Sequence, residues 1–84
     1  MDLFELPLRV PARITSVQAR DAEDEIAQRL DELGFVPGEQ VRVIGRGPLG
    51  REPVAVQVGH TRFALRRTEA QRVQVSVGDA AVQP

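Results

Sequence analysis

His60 is the one imidazole in this 84-residue chain, and there is no cysteine. Nucleophilic catalysis by a hydroxyl needs a base within hydrogen-bond reach and a third group that orients the base. His60 lies between Gly59 and Thr61, in a segment that reads as a hairpin turn, and nothing around it suggests such a set. No catalytic residue is assigned, and the chain reads as something other than an enzyme. A ferrous site wants imidazoles, thiolates or converging carboxylates. Asp21, Asp24 and Glu25 are weak candidates for gathering a divalent cation, and His60 is a separate weak candidate at a contact between molecules. Capping and solvating the start of a helix is the simpler use of those acids. The run Gly45-Arg46-Gly47-Pro48-Leu49-Gly50 is rich in glycine. It lacks the lysine and the Ser/Thr with which a glycine-rich loop cradles phosphates. It reads as a connection between strands, so neither GTP hydrolysis nor any cofactor is expected.

All eleven basic residues are arginine. Guanidinium favours planar, bidentate recognition and stacking, although a bias toward GC-rich arginine codons accounts for the same fact without a ligand. Residues 1–40 hold nine acids and four arginines, a balance of −5, whereas residues 41–84 hold three acids and seven arginines, a balance of +4. That asymmetry points to a polar partner surface, or simply to one well-solvated helix. Arg46, Arg51, Arg62, Arg66, Arg67 and Arg72 could form a basic face. Nucleic acid also wants stacking platforms, and the chain has three phenylalanines and no tryptophan or tyrosine. Nucleic acid is therefore not expected as a partner; a small nucleic-acid-binding barrel is the rival reading.

Eighty-four residues suffice for one small domain with a compact core. No apolar run approaches the roughly 20 residues of a membrane span, and the acidic start, Asp2 and Glu5, is unlike a signal peptide. A cytoplasmic location is expected, with the membrane reached only through a partner.

Several short elements must position these residues. Residues 1–11 place Leu3, Phe4, Leu6 and Leu8 among Pro7 and Pro11, which reads as an extended arm docked on a core. Residues 12–20 read as a first strand, with imperfect alternation at Ile14 and Val17 that permits a bulge. Residues 22–33 read as a helix with Asp21 as N-cap and an apolar stripe of Ile26, Leu30 and Leu33. A hinge follows. Leu33-Gly34 ends the helix, Phe35 folds back onto Leu30, and Pro37-Gly38 makes a type II turn. Glu39–Gly45, Pro53–Val58, Thr61–Arg66 and Arg72–Val77 alternate as strands, with Arg46–Glu52 as a loop and Gly59-His60 as a tight link. Phe63 and Leu65 face inward. Arg67–Gln71 reads as one helical turn capped by Thr68, and Gly78–Pro84 as a frayed, flexible tail. A sheet this small best avoids open edges by curling up. The expected fold is mainly β: a small SH3-like five-stranded barrel, with a helix inserted after strand one and a helical turn before the last strand. It occupies residues 1–77 as one domain; an OB-type barrel is the runner-up.

Over most of its length the chain resembles the FeoA-like family, ferrous iron transport protein A. The resemblance rests on Leu3…Leu6-Pro7, Ala12-Arg13-Ile14, and Arg29-Leu30…Leu33-Gly34-Phe35-Val36-Pro37-Gly38-Glu39…Val41. It continues through Gly47-Pro48-Leu49-Gly50…Pro53-Val54 and Phe63-Ala64-Leu65-Arg66…Glu69-Ala70…Val73…Val75. The chain departs from the pattern at Arg9, where the family often has glycine. The resemblance implies a small cytosolic accessory module that assists FeoB, a membrane ferrous-iron transporter with a cytosolic GTP-binding domain. A similar domain forms the C-terminal part of iron-dependent repressors, which is the alternative at the level of mechanism.

A protein-binding role puts the contact on the Gly47–Glu52 loop. Pro48 and Leu49 are apolar in an exposed loop, and Arg46, Arg51 and Arg66 would flank them and pair with carboxylates. Leu49 could instead plug one end of the barrel. The aromatic walls that grip proline-rich peptides are absent. Weak self-association is a further expectation.

Overall fold

Period-two valines recur through the second half of the chain. The computed structural model, which describes residues 1–77, joins them into one five-stranded antiparallel sheet. The expected tail, Gly78–Pro84, lies outside the described residues. In chain order the elements are β1 (Ala12–Val17), α1 (Glu25–Leu33), β2 (Gln40–Leu49), β3 (Glu52–Val58), β4 (Thr61–Leu65), α2 (Arg67–Ala70) and β5 (Val73–Ser76). Their order across the sheet is β4-β3-β2-β1-β5. The fold is the mainly β, SH3-like one that the patterning suggests. Alternate residues Val41, Val43, Val54, Val56, Val73 and Val75 bury one face, with Ile14, Leu30 and Phe35 packed over them. Phe35 is fully buried and its ring lies 5.0 Å from that of Phe63. A register shift between Ile14 and Ser16 puts a bulge in β1 where the alternation falters.

The hinge folds as its residue types dictate. Gly34, at φ +114, closes α1, and its N–H and that of Phe35 donate to Asp31 and Leu30. Gly38, at φ +96, completes the Pro37-Gly38 turn, in which Glu39 N–H donates to Val36 O at 3.2 Å.

Three local expectations are corrected. First, α1 starts later: Asp24, not Asp21, is its N-cap. Asp24 Oδ1 accepts from the N–H groups of Ile26 and Ala27, while Oδ2 accepts from Arg20 N–H at 2.9 Å and from Arg72 Nε at 2.7 Å. Asp21 braces only the preceding turn, through Glu23 N–H. Second, α1 meets the sheet through Ala27 and Leu30, leaving Ile26 and Leu33 partly exposed. Third, the expected Arg46–Glu52 loop is mostly strand. β2 runs on to Leu49 because Gly47 lets the backbone close on β3: a Cβ there would overlap the Glu52 carbonyl and come within 2.8 Å of Pro53 Cδ. Smaller differences follow. β1 stops at Val17, and α2 is capped at Arg66 rather than Thr68, with Arg66 N–H donating to Glu69 Oε1.

The N-terminal arm is part of the sheet. Leu3 N–H donates to Val73 O and Val75 N–H to Met1 O, so residues 1–3 line the outer edge of β5. Leu3, Phe4 and Leu6 are buried; Leu8 is half exposed. Arg9 turns the arm at φ +66 and donates to Val43 O at 2.8 Å.

Two predictions follow from these local geometries. Arg9→Gly removes the penalty of a left-handed non-glycine residue and should stabilise the fold by up to about 1 kcal/mol, read as a higher denaturation midpoint with an unchanged slope. The hydrogen bond from Arg72 holds the Asp24 carboxyl well below its ordinary value of 3.8. An unfolded chain takes up that proton near pH 4 while the folded one resists it, so this stability is present above pH 4 and is lost as pH falls further. Denaturation at stepped pH should show Asp24→Asn weaker at neutral pH but with a shallower decline in acid; a decline as steep as the wild type's would refute this.

Candidate functional site

β2 and β3 are joined by a two-residue turn, Gly50-Arg51, with φ of +63 and +67, between paired Leu49 and Glu52. Two positive φ values in succession mark a turn whose twist matches that of the strands. Leu49, at the tip, is 82 % exposed, which settles its role against a barrel plug. Pro48 is exposed beside it, at the end of β2.

Behind the tip lies Phe4. The guanidinium carbons of Arg46, Arg51 and Arg67 stand 5.3, 5.4 and 4.6 Å from its ring centroid. Each is a cation–π contact. Arg67 is also fixed from two sides: its backbone N–H donates to Glu52 Oε1, and its Nη2 donates to Gly50 O at 3.2 Å. Its Nε lies 3.9 Å from Glu52 Oε2.

Arg46 is less free than a flanking loop residue. Its Nη2 donates to both Phe4 O and Leu6 O at 2.8 Å, tying the arm to β2. Its Nη1 is buried without a hydrogen-bond partner. Burial, and then the neighbouring positive charge of Arg51, push its pKa below the ordinary arginine value.

The structure thus gathers Arg46, Leu49 and Arg51 at one end of the sheet, with Pro48 next to Leu49 on β2. Arg66 is not among the cations on Phe4. It lines a shallow groove between α1 and β4 with Ile26, Leu33 and Phe63. Arg67 takes the position expected of Arg66, and Phe4 is the anchor that sequence reasoning missed. The only signal for Phe4 was its being the single aromatic residue of the arm. Leu33, Gly34, Phe35, Pro37 and Gly38 serve as scaffold for the helix-to-strand junction, as their types suggest.

Asp21, Asp24 and His60 are not brought together as ligands. Among the described residues no three His, Cys, Asp or Glu side chains form a metal-holding group. Asp24 is buried and engaged by Arg72, and His60 sits in the β3–β4 turn. Among the described residues no helix is long and apolar enough to cross a membrane.

The clamp made by Arg46 is testable. Arg46→Met leaves the carbonyls of Phe4 and Leu6 without their donor and should destabilise the fold by about 2 kcal/mol. Amide exchange of Leu3 and Arg9 should quicken. Arg51→Asn, which suits a positive φ and touches no arm carbonyl, should leave those amides unchanged.

The FeoA domain matches residues 1–77 of the chain. Among solved structures, the chain is similar to the FeoA of Stenotrophomonas maltophilia, a prokaryotic SH3-domain protein solved with zinc and put forward as a ferrous iron transport activating factor. The two are 58 % identical with a TM-score of 0.85, over 93 % of this chain and 92 % of that one. It is also similar to iron(II) transport protein A of Clostridium thermocellum, at 34 % identity and a TM-score of 0.80, over 92 % of this chain and 45 % of that one. A manganese-dependent transcriptional repressor shares the fold alone, at 16 % identity and a TM-score of 0.75, over 92 % of this chain and 40 % of that one. No match was found among curated protein sequences.

Proposed function

The chain belongs to the FeoA family, and on that premise we propose that it is an accessory protein of bacterial ferrous iron uptake. It acts in the cytoplasm by docking on the cytosolic GTP-binding part of a FeoB-type transporter. It regulates that partner and catalyses nothing itself. Iron is the transporter's cargo in this reading, not a resident of this chain.

The observation that carries the proposal is the likeness, across nearly the whole of both chains, to a protein put forward as a ferrous iron transport activating factor. The surface supports it. Leu49 is a large apolar side chain, 82 % exposed, on a hairpin tip flanked by arginine. Burying it against a partner is worth about 1.5–3 kcal/mol, enough to make one tip contact matter in a weak complex. Residues 1–77 act as one module in this reading, the arm included. The likeness to the repressor reaches only the fold, so a repressor-like role has no support beyond shape.

The test uses the purified chain and the cytosolic domain of a FeoB-type transporter from the same organism. Titration with and without guanine nucleotide should show binding and a change in GTP turnover or transport. No interaction under either condition overturns the proposal. Leu49→Asp should leave stability within about 0.5 kcal/mol of wild type while weakening the complex and iron-uptake complementation. Full complementation by a folded Leu49→Asp protein would move the contact off this tip.

A further inference from the structure

Three guanidinium groups converge on Phe4, and among the described residues only Arg67 has an ion-pair partner there, Glu52. We propose that this cluster is the seat for a carboxylate on an acidic segment of a protein partner, with an apolar neighbour of that carboxylate resting on Leu49. The proposal rests on the docking role given above and names the chemistry that the tip takes.

Three observations converge on it. The first is charge. All three guanidinium carbons lie within 5.4 Å of one point. Sharing one ring, the cations feel one another: the positive charge of Arg51 acts directly on Arg46. One carboxylate, Glu52, does not neutralise three cations, and it is already engaged by the backbone N–H of Arg67. An incoming carboxylate relieves the repulsion.

The second is unmet hydrogen bonding. Arg46 Nη1 is buried and lacks an acceptor. A buried donor left unpaired is unfavourable in the free protein. Arg51 covers the same ring and is itself exposed, so it can lift aside on the fast timescale of surface side chains and admit an oxygen. Guanidinium groups laid over an aromatic ring keep their planar forks pre-set for a carboxylate.

The third is the apolar tip. Leu49 is two residues from Arg51 and almost bare. A free anion such as phosphate would satisfy the arginines and leave Leu49 in water. A peptide carrying both a carboxylate and an apolar side chain satisfies both.

The test is a titration of the isotope-labelled full chain at low ionic strength, read by amide and arginine side-chain resonances. The probes are an acetylated, amidated peptide of alternating leucine and glutamate, the same peptide with glutamine for glutamate, and inorganic phosphate. The glutamate peptide should shift Phe4, Arg46, Leu49, Arg51 and Arg67; at equal concentration the glutamine peptide should shift none of them, and phosphate should leave Leu49 unmoved. Arg51→Asn should weaken binding about tenfold, the effect of one charge-assisted hydrogen bond. Arg62→Asn, which removes an exposed arginine of β4 outside the cluster, should leave it unchanged. Shifts spread over all arginines, equal loss in the two variants, or full reproduction by phosphate would each overturn the inference. If the transporter domain binds wild type and Arg51→Asn equally well, the carboxylate seat is wrong while the assignment to the transporter stands.

Discussion

One carboxylate holds the helical half of this protein to its sheet. Asp24 accepts from three backbone N–H groups and from Arg72, so a single side chain fixes the approach to α1, its first turn, and its distance from the end of α2. Arg72 completes the junction by donating from Nη1 to Thr68 O at 2.6 Å. Both side chains are nearly sealed from solvent, at 8 % and 4 % exposure for Arg72 and Asp24. Desolvating two charges offsets much of their attraction, so such a pair is better understood as a positioning device than as a large net source of stability. Its value here is geometric. α1 offers the sheet only Ala27 and Leu30 as buried contacts, and a two-residue apolar stripe leaves a helix free to rock. The ion pair at one end and the Gly34–Gly38 hinge at the other remove that freedom.

A second constraint of the same kind holds the other end. The arm has no secondary structure of its own and would be a greasy liability if loose. Arg46 reads two of its carbonyls, and the edge of β5 reads its first residues. The same arginine that fastens the arm also lies on Phe4. The scaffold and the charged tip are therefore one piece of construction. Arm docking, hairpin shape and the disposition of the cations cannot vary independently, which lets a small sheet present a defined surface without a dedicated binding loop.

How much of this was legible depended on how local each cause was. The valine alternation, the glycine that ends α1, the Pro-Gly turn and the Gly59-His60 link each act within a few residues, and the sequence displays them directly. The choice of Asp24 over Asp21 does not work that way. Both acids are sound caps on local grounds, and the decision comes from Arg72, which is 48 residues away in sequence. Arg46 looked like a free cation because the carbonyls that engage it are 42 and 40 residues distant. Gly47 misled in the opposite direction. A glycine beside a proline suggests a loop, yet this one serves a close crossing of two paired strands. Of the tip, Leu49 and Arg51 were visible, whereas Phe4 and Arg67 emerge only once the arm and α2 are folded against β3.

The edges of the sheet carry a consequence of their own. Residues 1–3 line the outside of β5, so one edge is closed by the chain itself. β4, at the opposite end, makes no further backbone hydrogen bond on its outer side among the described residues. Among the described residues the sheet therefore has a single open edge, which makes it monofunctional in the polymer chemist's sense. It can accept one strand, from a partner or from a second copy, and two copies joined through β4 would have no vacant edge left. Strand addition therefore terminates at a pair instead of propagating into a fibre. The docked arm, beyond completing the core, acts as a chain stopper.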